Sequence, residues 1–179
     1  MRTLWILSLA AVSACASTTT TVGRPETESV RIGSAESGNL RLTSITQANV
    51  SPIAFPIGKV WHAMPAAFDA LAIPITAVDT ALHTISNGGL KLRRQLGNVP
   101  LSRFIDCGST QIGDNADSYD IYLTVVARLE EEKTSGLTTL YTTFEAMARP
   151  IAFSREYSRC SSRGVLEKRL ADAVKAQLQ

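Results

Sequence analysis

Two long runs of alternating residues constrain the fold of this chain more than any other feature. In the first run, apolar side chains occupy every second position from Tyr119 to Leu129, and in the second they do so from Leu140 to Ala148 apart from Thr142. Alternation with a period of two is typical of a strand that buries one face. The polar segment Glu130–Gly136 joins the two runs. The pattern therefore predicts two long antiparallel strands connected as a hairpin.

Two other segments have the apolar spacing of helices. The first carries the set Val60, Trp61, Met64, Phe68 and Leu71. Because proline is tolerated mainly in a first turn, Pro65 leads us to expect a regular helix over about 62–72 and an irregular start at Trp61. Ser162 can cap the second helix, whose apolar stripe comprises Val165, Leu166, Leu170, Val174 and Leu178.

Shorter signals complete the predicted order of elements. Asn87-Gly88-Gly89 separates Ala81–Ser86 from Leu90–Leu96, and Asn-Gly is the favoured pair for a type I′ hairpin turn. We predict a first strand over Asn39–Val50 and a short helical turn at Leu101–Phe104. The predicted order is strand, helix, hairpin, hairpin, helix. This order favours an α+β fold in which both helices pack on one face of an antiparallel sheet.

The start of the chain has the layout of a signal peptide. A positive charge at Arg2 precedes the apolar run Leu4–Ala11, which is far shorter than the ~20 residues of a membrane-spanning helix. Val12–Cys15 resembles the lipobox of bacterial lipoproteins, with a branched apolar residue and two small residues before the cysteine. The resemblance implies that residues 1–14 are removed and that Cys15 is acylated. An ordinary secretory signal with an incidental cysteine is the alternative.

The composition after Cys15 indicates the domain organisation, and the lipoprotein resemblance implies the cellular location. Residues 15–38 are rich in Ser and Thr and read as a lipidated cysteine followed by a flexible tether, and residues 39–179 as one domain. Ala16-Ser17 places no Asp at the second mature position, which in typical Gram-negative sorting implies the outer membrane, with the domain on its periplasmic face. Membrane attachment would then depend on the lipid alone.

With Cys15 assigned to lipid, two thiols remain in the exported chain. Cys107 and Cys160 are most simply joined in a disulfide, because exported proteins mature in an oxidising compartment. Two free thiols, or half of a metal site, are the alternatives. A metal site would need more His or Cys ligands than this chain offers.

Few residues offer catalytic or metal chemistry. Neither His62 nor His83 has a second ligand at i+3 or i+4, so a packed or surface histidine is the favoured interpretation of each. The chain has no Gly-x-Ser-x-Gly elbow and no glycine-rich phosphate loop. We therefore expect neither an enzyme nor a bound cofactor.

Two charged segments could bind ions or partners. The oxygen-rich segment Asp114–Asp120 could suit calcium, but it lacks the terminal Glu and the spacing of an EF-hand, and a turn leading into a strand is the simpler interpretation. The basic run Lys91–Arg94, with Arg103 nearby, could bind acidic partners, anionic headgroups or lipopolysaccharide phosphates. Solvated charge at a sheet edge is the simpler interpretation.

More arginines lie near the last helix, where they alternate with acidic residues. The arginines are Arg149, Arg155, Arg159 and Arg163, and the acidic residues are Glu145, Glu156 and Glu167.

An apolar ligand site is a further alternative. Trp61 and Phe68, together with Leu166 and Leu170 of the last helix, could line a cavity between sheet and helices. Ordinary core packing of the same residues is the simpler interpretation.

The order of elements over residues 39–179 loosely resembles the helix-grip domains of a lipoprotein component of the bacterial outer-membrane β-barrel assembly machinery. The net charge of +2 argues against nucleic acid as the main partner. We expect a non-enzymatic envelope lipoprotein that binds a protein partner or supports an assembly. A module that binds a lipid or another apolar ligand is the alternative.

Overall fold

Residues 48–133, 135–151 and 156–179 are described by a computed structural model of the chain. The predicted signal peptide, Cys15, the tether over 15–38 and most of the predicted strand Asn39–Val50 lie outside these residues. The helices are α1 (Ile57–Ala70), α2 (Asn115–Ser118) and α3 (Val165–Ala176), with a 3₁₀ turn at Leu101–Arg103. The strands are β1 (Asn49–Ile53), β2 (Ala77–Asp79), β3 (Thr84–Arg93), β4 (Gln95–Leu96), β5 (Val99–Pro100), β6 (Ile105–Asp106), β7 (Ser109–Thr110), β8 (Gly113–Asp114), β9 (Asp120–Glu131), β10 (Thr138–Arg149) and β11 (Ser158–Ser162).

β9 and β10 form the centre of the sheet. They pair antiparallel over their whole length, from Glu131 opposite Thr138 to Asp120 opposite Arg149. On one face, alternate side chains of both strands are buried, which confirms the predicted long hairpin. On the other face, every β9 and β10 side chain except Asp120 is half-buried or exposed. We call these the covered face and the open face.

The remaining strands extend the sheet on both sides of this pair. The order is β5-β4-β3-β9-β10-β11-β6, and all pairings are antiparallel. β1 lies beside the first part of β10, and β2 pairs with β3. β7 and β8 form a separate two-stranded ribbon.

α1 and α3 lie against each other and pack on the covered face. Their inward side chains join one core with those of the sheet, and the fully buried ones include Val60, Met64, Phe68, Leu170 and Val174. The expected α+β class, with an antiparallel sheet, is therefore confirmed. The resemblance to helix-grip domains stays a prediction.

The predicted bounds of the first helix were wrong. α1 begins at Ile57, directly after Pro56, and continues through Pro65 to Ala70, so Trp61 lies within regular helix. An interior proline costs about 3 kcal/mol. Burial of one side chain the size of Phe68 contributes about 1.5–3 kcal/mol, and Val60 and Met64 are fully buried as well. Packing on both sides of Pro65 therefore outweighs its cost.

The hairpin predicted around Asn87-Gly88-Gly89 does not form. β3 is one strand that pairs with β9 throughout, with a β-bulge between Asn87 and Leu90. A type I′ turn requires positive φ at both central residues, and neither Asn87 nor Gly88 has one. Asn87 is instead buried, where its amide donates a hydrogen bond to the Pro74 carbonyl at 2.6 Å and its side-chain oxygen accepts one from the Gly89 N–H at 3.0 Å.

The bulge changes which side chains in the second half of β3 point toward the core. Asn87 lies opposite Val125 and Leu90 opposite Leu123, so β3 uses one more residue than β9 over this interval. One extra residue reverses the alternation of a strand. Leu90 and Leu92 therefore pack against the core, while the side chains of Lys91 and Arg93 are more than half exposed.

The region before the last helix also differs from the prediction. β11 was not predicted, and Ser162 is its last residue rather than the helix cap, which is Gly164 with a positive φ of 72°. Ser162 still stabilises the helix start, because its hydroxyl accepts a hydrogen bond from the Gly164 N–H and donates one to Glu167. Val165, expected in the buried stripe, is exposed.

The expected disulfide between Cys107 and Cys160 is present. Cys107 follows β6 and Cys160 lies in β11, which pairs with β6. The bridge therefore fixes the irregular segment before β9 to the strand that leads into α3. Closing a loop with a sequence separation of 53 residues contributes roughly 4 kcal/mol in the chain-entropy description.

Deletion of Gly89 should prevent folding, because it would turn Lys91 and Arg93 toward the core. Burial of two unpaired cations costs several kcal/mol each. The matched control is Gly89→Ala, which keeps the strand length and meets no atom within 4 Å, so we expect a change below about 1 kcal/mol. Urea unfolding followed by circular dichroism measures both. A cooperative transition of normal stability in the deletion variant would contradict the role given to the bulge.

Candidate functional site

A cluster of three cations around one carboxylate lies on the open face of the sheet. Arg93 of β3 and Arg149 of β10 are the cross-strand neighbours of Asp120, the first residue of β9. The Arg93 Nε donates to Asp120 Oδ1 at 3.1 Å. Lys91 Nζ and Arg149 Nη2 lie 3.6 and 3.7 Å from Asp120 Oδ2. One carboxylate on β9 thus pairs with three cations from the two strands that flank it, β3 and β10.

The ionised form of Asp120 is favoured at this position. Only 10% of its side chain is exposed, and this burial alone would raise the pKa of its carboxyl. The hydrogen bond from Arg93 and the charges of Lys91, Arg93 and Arg149 outweigh burial and hold the pKa below its usual 3.8. The carboxylate is therefore charged at neutral pH and keeps the three cations in place.

Two tyrosines adjoin the charged cluster. The rings of Tyr122 and Tyr157 meet edge to face, with centroids 5.3 Å apart. Arg149 lies over the Tyr157 ring at 5.2 Å, and Lys91 lies 5.8 Å from the centre of the Tyr122 ring. A side-chain hydrogen bond with Tyr122 is the main cause that raises the pKa of Tyr157, and burial is the second. The charge of Arg149 opposes this change. Tyr157 is therefore neutral at physiological pH.

These six residues define the basic–tyrosine patch, namely Lys91, Arg93, Asp120, Tyr122, Arg149 and Tyr157. Its three positive charges face one negative charge, so a positive excess lies on the open face. The side chains of Lys91 and Arg93 are 57% and 53% exposed, and that of Arg149 is 34% exposed. The patch can thus present cationic donors and aromatic surface to a binding partner.

The sequence identified only part of this patch. Lys91 and Arg93 of the basic run lie on one strand face, whereas Arg94 follows β3 with a positive φ and Arg103 lies in the 3₁₀ turn. Nothing local connects the basic run with Asp120 or Arg149, because strand pairing brings them together. The one signal in the sequence for an anionic partner of the basic run was Asp120, the acidic residue at the first polar position of β9.

Of the other arginines near the last helix, the structure describes Arg159 and Arg163, which occupy separate positions. Arg163 forms an ion pair with Asp106 at 3.3 Å. Arg159 is exposed on β11, opposite Met147, and Arg155 lies outside the described residues.

The acidic segment Asp114–Asp120 does not converge on one point. Asp117 accepts hydrogen bonds from the Ser102 N–H and hydroxyl at 2.9 and 2.6 Å, so it fastens α2 to the 3₁₀ turn. Asn115 donates to the Cys107 carbonyl at 3.1 Å, and Asp120 is engaged by the three cations. The segment was expected to be a turn, and its middle is the short helix α2.

The two histidines occupy separate positions. His62 is exposed on α1, and His83 meets the ring of Trp61 edge to face with centroids 5.3 Å apart. Within the three described ranges, no group of three or more His, Cys, Asp or Glu side chains could hold a metal ion.

The residues considered for an apolar ligand lie in or beside the core. Phe68, Leu166 and Leu170 are buried in the hydrophobic core that joins the helices to the sheet, and Trp61 is half-buried at its border. These positions support core packing rather than a separate apolar site.

In the part of the chain that the structure describes, no helix has the length and apolar character needed to cross a bilayer. Neither a protein-family model nor a curated protein matches this chain.

Replacement of Asp120 by Asn should destabilise the protein at neutral pH, because the three cations lose their counter-charge. A carboxyl whose folded-state pKa is depressed contributes stability above its unfolded pKa, and this contribution is lost as the pH falls through the folded pKa. The stability difference between wild type and Asp120→Asn should therefore shrink below about pH 4. Urea unfolding across this pH range measures it.

The matched control is Glu130→Gln, which removes an exposed open-face carboxylate that pairs with Arg128. We expect this change to be small at every pH. A difference for Asp120→Asn that is absent at neutral pH, or independent of pH, would contradict the assigned role of Asp120.

Proposed function

We propose that this chain is a non-enzymatic protein-binding module of the bacterial cell envelope, anchored to the outer membrane by a lipid on Cys15 and facing the periplasm. The observation that carries the proposal is the basic–tyrosine patch on the open face. Arginine and tyrosine are enriched at protein interfaces, and here both lie on one partly exposed sheet surface.

The proposed location is supported by the cysteines. A disulfide such as Cys107–Cys160 forms and persists in oxidising compartments, which include the bacterial periplasm. The lipobox resemblance of Val12–Cys15 accounts for the third cysteine and supplies an anchor that requires no spanning helix. The arrangement of sheet and helices is also compatible with the likeness to the assembly-machinery lipoprotein.

The chemistry of the patch favours binding over catalysis. A general acid or base works best when its pKa lies near the working pH. The pKa of Asp120 is lowered from an already acidic value, and that of Tyr157 is raised from an already basic one. Both shifts move the pKa values further from neutral pH. Asp120 therefore serves as a permanently charged contact and Tyr157 as an uncharged one.

Affinity purification of the full-length protein from its own membranes, after crosslinking, tests this function, with Cys15→Ala as the matched control. We expect one envelope protein to be recovered reproducibly with the wild type and lost with Cys15→Ala. Labelled palmitate should be incorporated only into the wild type, which checks the anchor separately. Recovery of the lipoprotein alone, from membranes in which it is acylated, would overturn the binding function.

A further inference from the structure

The charge balance of the basic–tyrosine patch specifies the chemistry of what can bind to it. The three cations of the patch surround one carboxylate, that of Asp120, which pairs with each of them. Among its six residues, the patch therefore has two more positive than negative charges. Such an excess attracts negatively charged groups and repels cationic ones.

The cations also retain donors for a ligand. Arg93 reaches Asp120 through Nε, and a guanidinium has five N–H donors in a planar fork, so its terminal nitrogens remain for a second carboxylate. Lys91 and Arg149 contact Asp120 at the longer distances of 3.6 and 3.7 Å. Since Asp120 holds all three on a rigid sheet, a ligand would meet cations that are already positioned.

The surroundings of the cations favour a protein over a simple anion. Met147 and Tyr157, on the same face, are 43% and 40% exposed, and Arg159 is exposed opposite Met147. Tyr, Met and Arg are the residue types enriched at protein interfaces, where apolar contact accompanies charge pairing. A free phosphate or a headgroup would use the cations and leave the exposed Met and Tyr surface without a partner.

We infer that the basic–tyrosine patch docks an acidic segment of a partner protein, whose Asp or Glu carboxylates pair with Lys91, Arg93 and Arg149 beside an apolar or aromatic contact at Met147 and Tyr157. This inference rests on the proposed function and names the partner's chemistry. Asp120 acts as a positioning residue that holds the three cations.

The opposite end of the open face provides a matched control. Arg128 also lies over a tyrosine ring, that of Tyr141 at 5.3 Å, but Glu130 neutralises it at 2.7 Å. Arg128 lies on the same face and makes the same kind of aromatic contact as the patch cations, but its charge is balanced by Glu130. Replacement of Arg128 should therefore leave acidic ligands bound.

The test uses full-length protein in a non-ionic detergent and a fluorescent peptide of sequence Glu-Glu-Tyr-Glu-Glu-Leu, followed by anisotropy at low salt. We expect Lys91→Gln/Arg93→Gln to bind about tenfold more weakly than wild type and Arg128→Gln to bind within about twofold. The charge-conserving Lys91→Arg, which keeps the hydrogen bond from Arg93 to Asp120, should stay within about threefold and so separates lost charge from lost folding. The peptide with Gln in place of Glu should not bind.

Several results would overturn the inference. The first is that the acidic peptide does not bind to wild type, and the second is that Arg128→Gln weakens peptide binding as much as Lys91→Gln/Arg93→Gln does. The third is that wild type binds phosphatidylglycerol vesicles more tightly than the peptide and that Lys91→Gln/Arg93→Gln loses this binding. The last result would assign the patch to lipid headgroups. If the membrane purification recovers the same partner with the double variant as with wild type, the docking site fails while the proposed function stands. If wild type recovers no partner, the proposed function itself fails.

Discussion

The pairing of β9 with β10 determines which side chains form the core with the helices and which remain on the open face. Their register runs unbroken from Asp120 opposite Arg149 to Glu131 opposite Thr138, so each alternate position is committed to one face. The covered face receives α1 and α3 and forms the core with them. The open face keeps the polar positions, and the first of these on β9 is Asp120. The core and the basic–tyrosine patch are therefore two consequences of one ladder.

The bulge in β3 adapts the neighbouring strand to this ladder. A regular strand that continued past the buried Asn87 would place Lys91 and Arg93 on the covered face, where two cations without partners could not be accommodated. The extra residue turns both cations to the open face, beside Asp120. Asn87 holds the bulge by its hydrogen bonds to Pro74 and Gly89. A local irregularity thus stabilises the core and also assembles the charged cluster.

The parts of the fold that follow from local pattern could be predicted from the sequence. The alternation over Tyr119–Leu129 and the pairing of the two remaining cysteines are examples, since one depends on a period of two and the other on a count. The bulge could not be predicted, because Asn-Gly-Gly satisfies a hairpin turn equally well until the contact of Asn87 with Pro74 is known.

The continuation of α1 through Pro65 depends on packing across the whole helix, which residue-by-residue preferences do not contain. The same limit applies to the candidate site. Arg93 and Asp120 are 27 residues apart in sequence, and only the pairing of β3 with β9 joins them.

The central claim is that the open face contacts another protein, and photocrosslinking in living cells tests it most directly. A photoreactive amino acid at Met147 should yield an adduct whose crosslinked peptide is acidic, while the same amino acid at Lys175, exposed on α3, should yield none. Adducts from Lys175 alone, or from neither position, would contradict the claim.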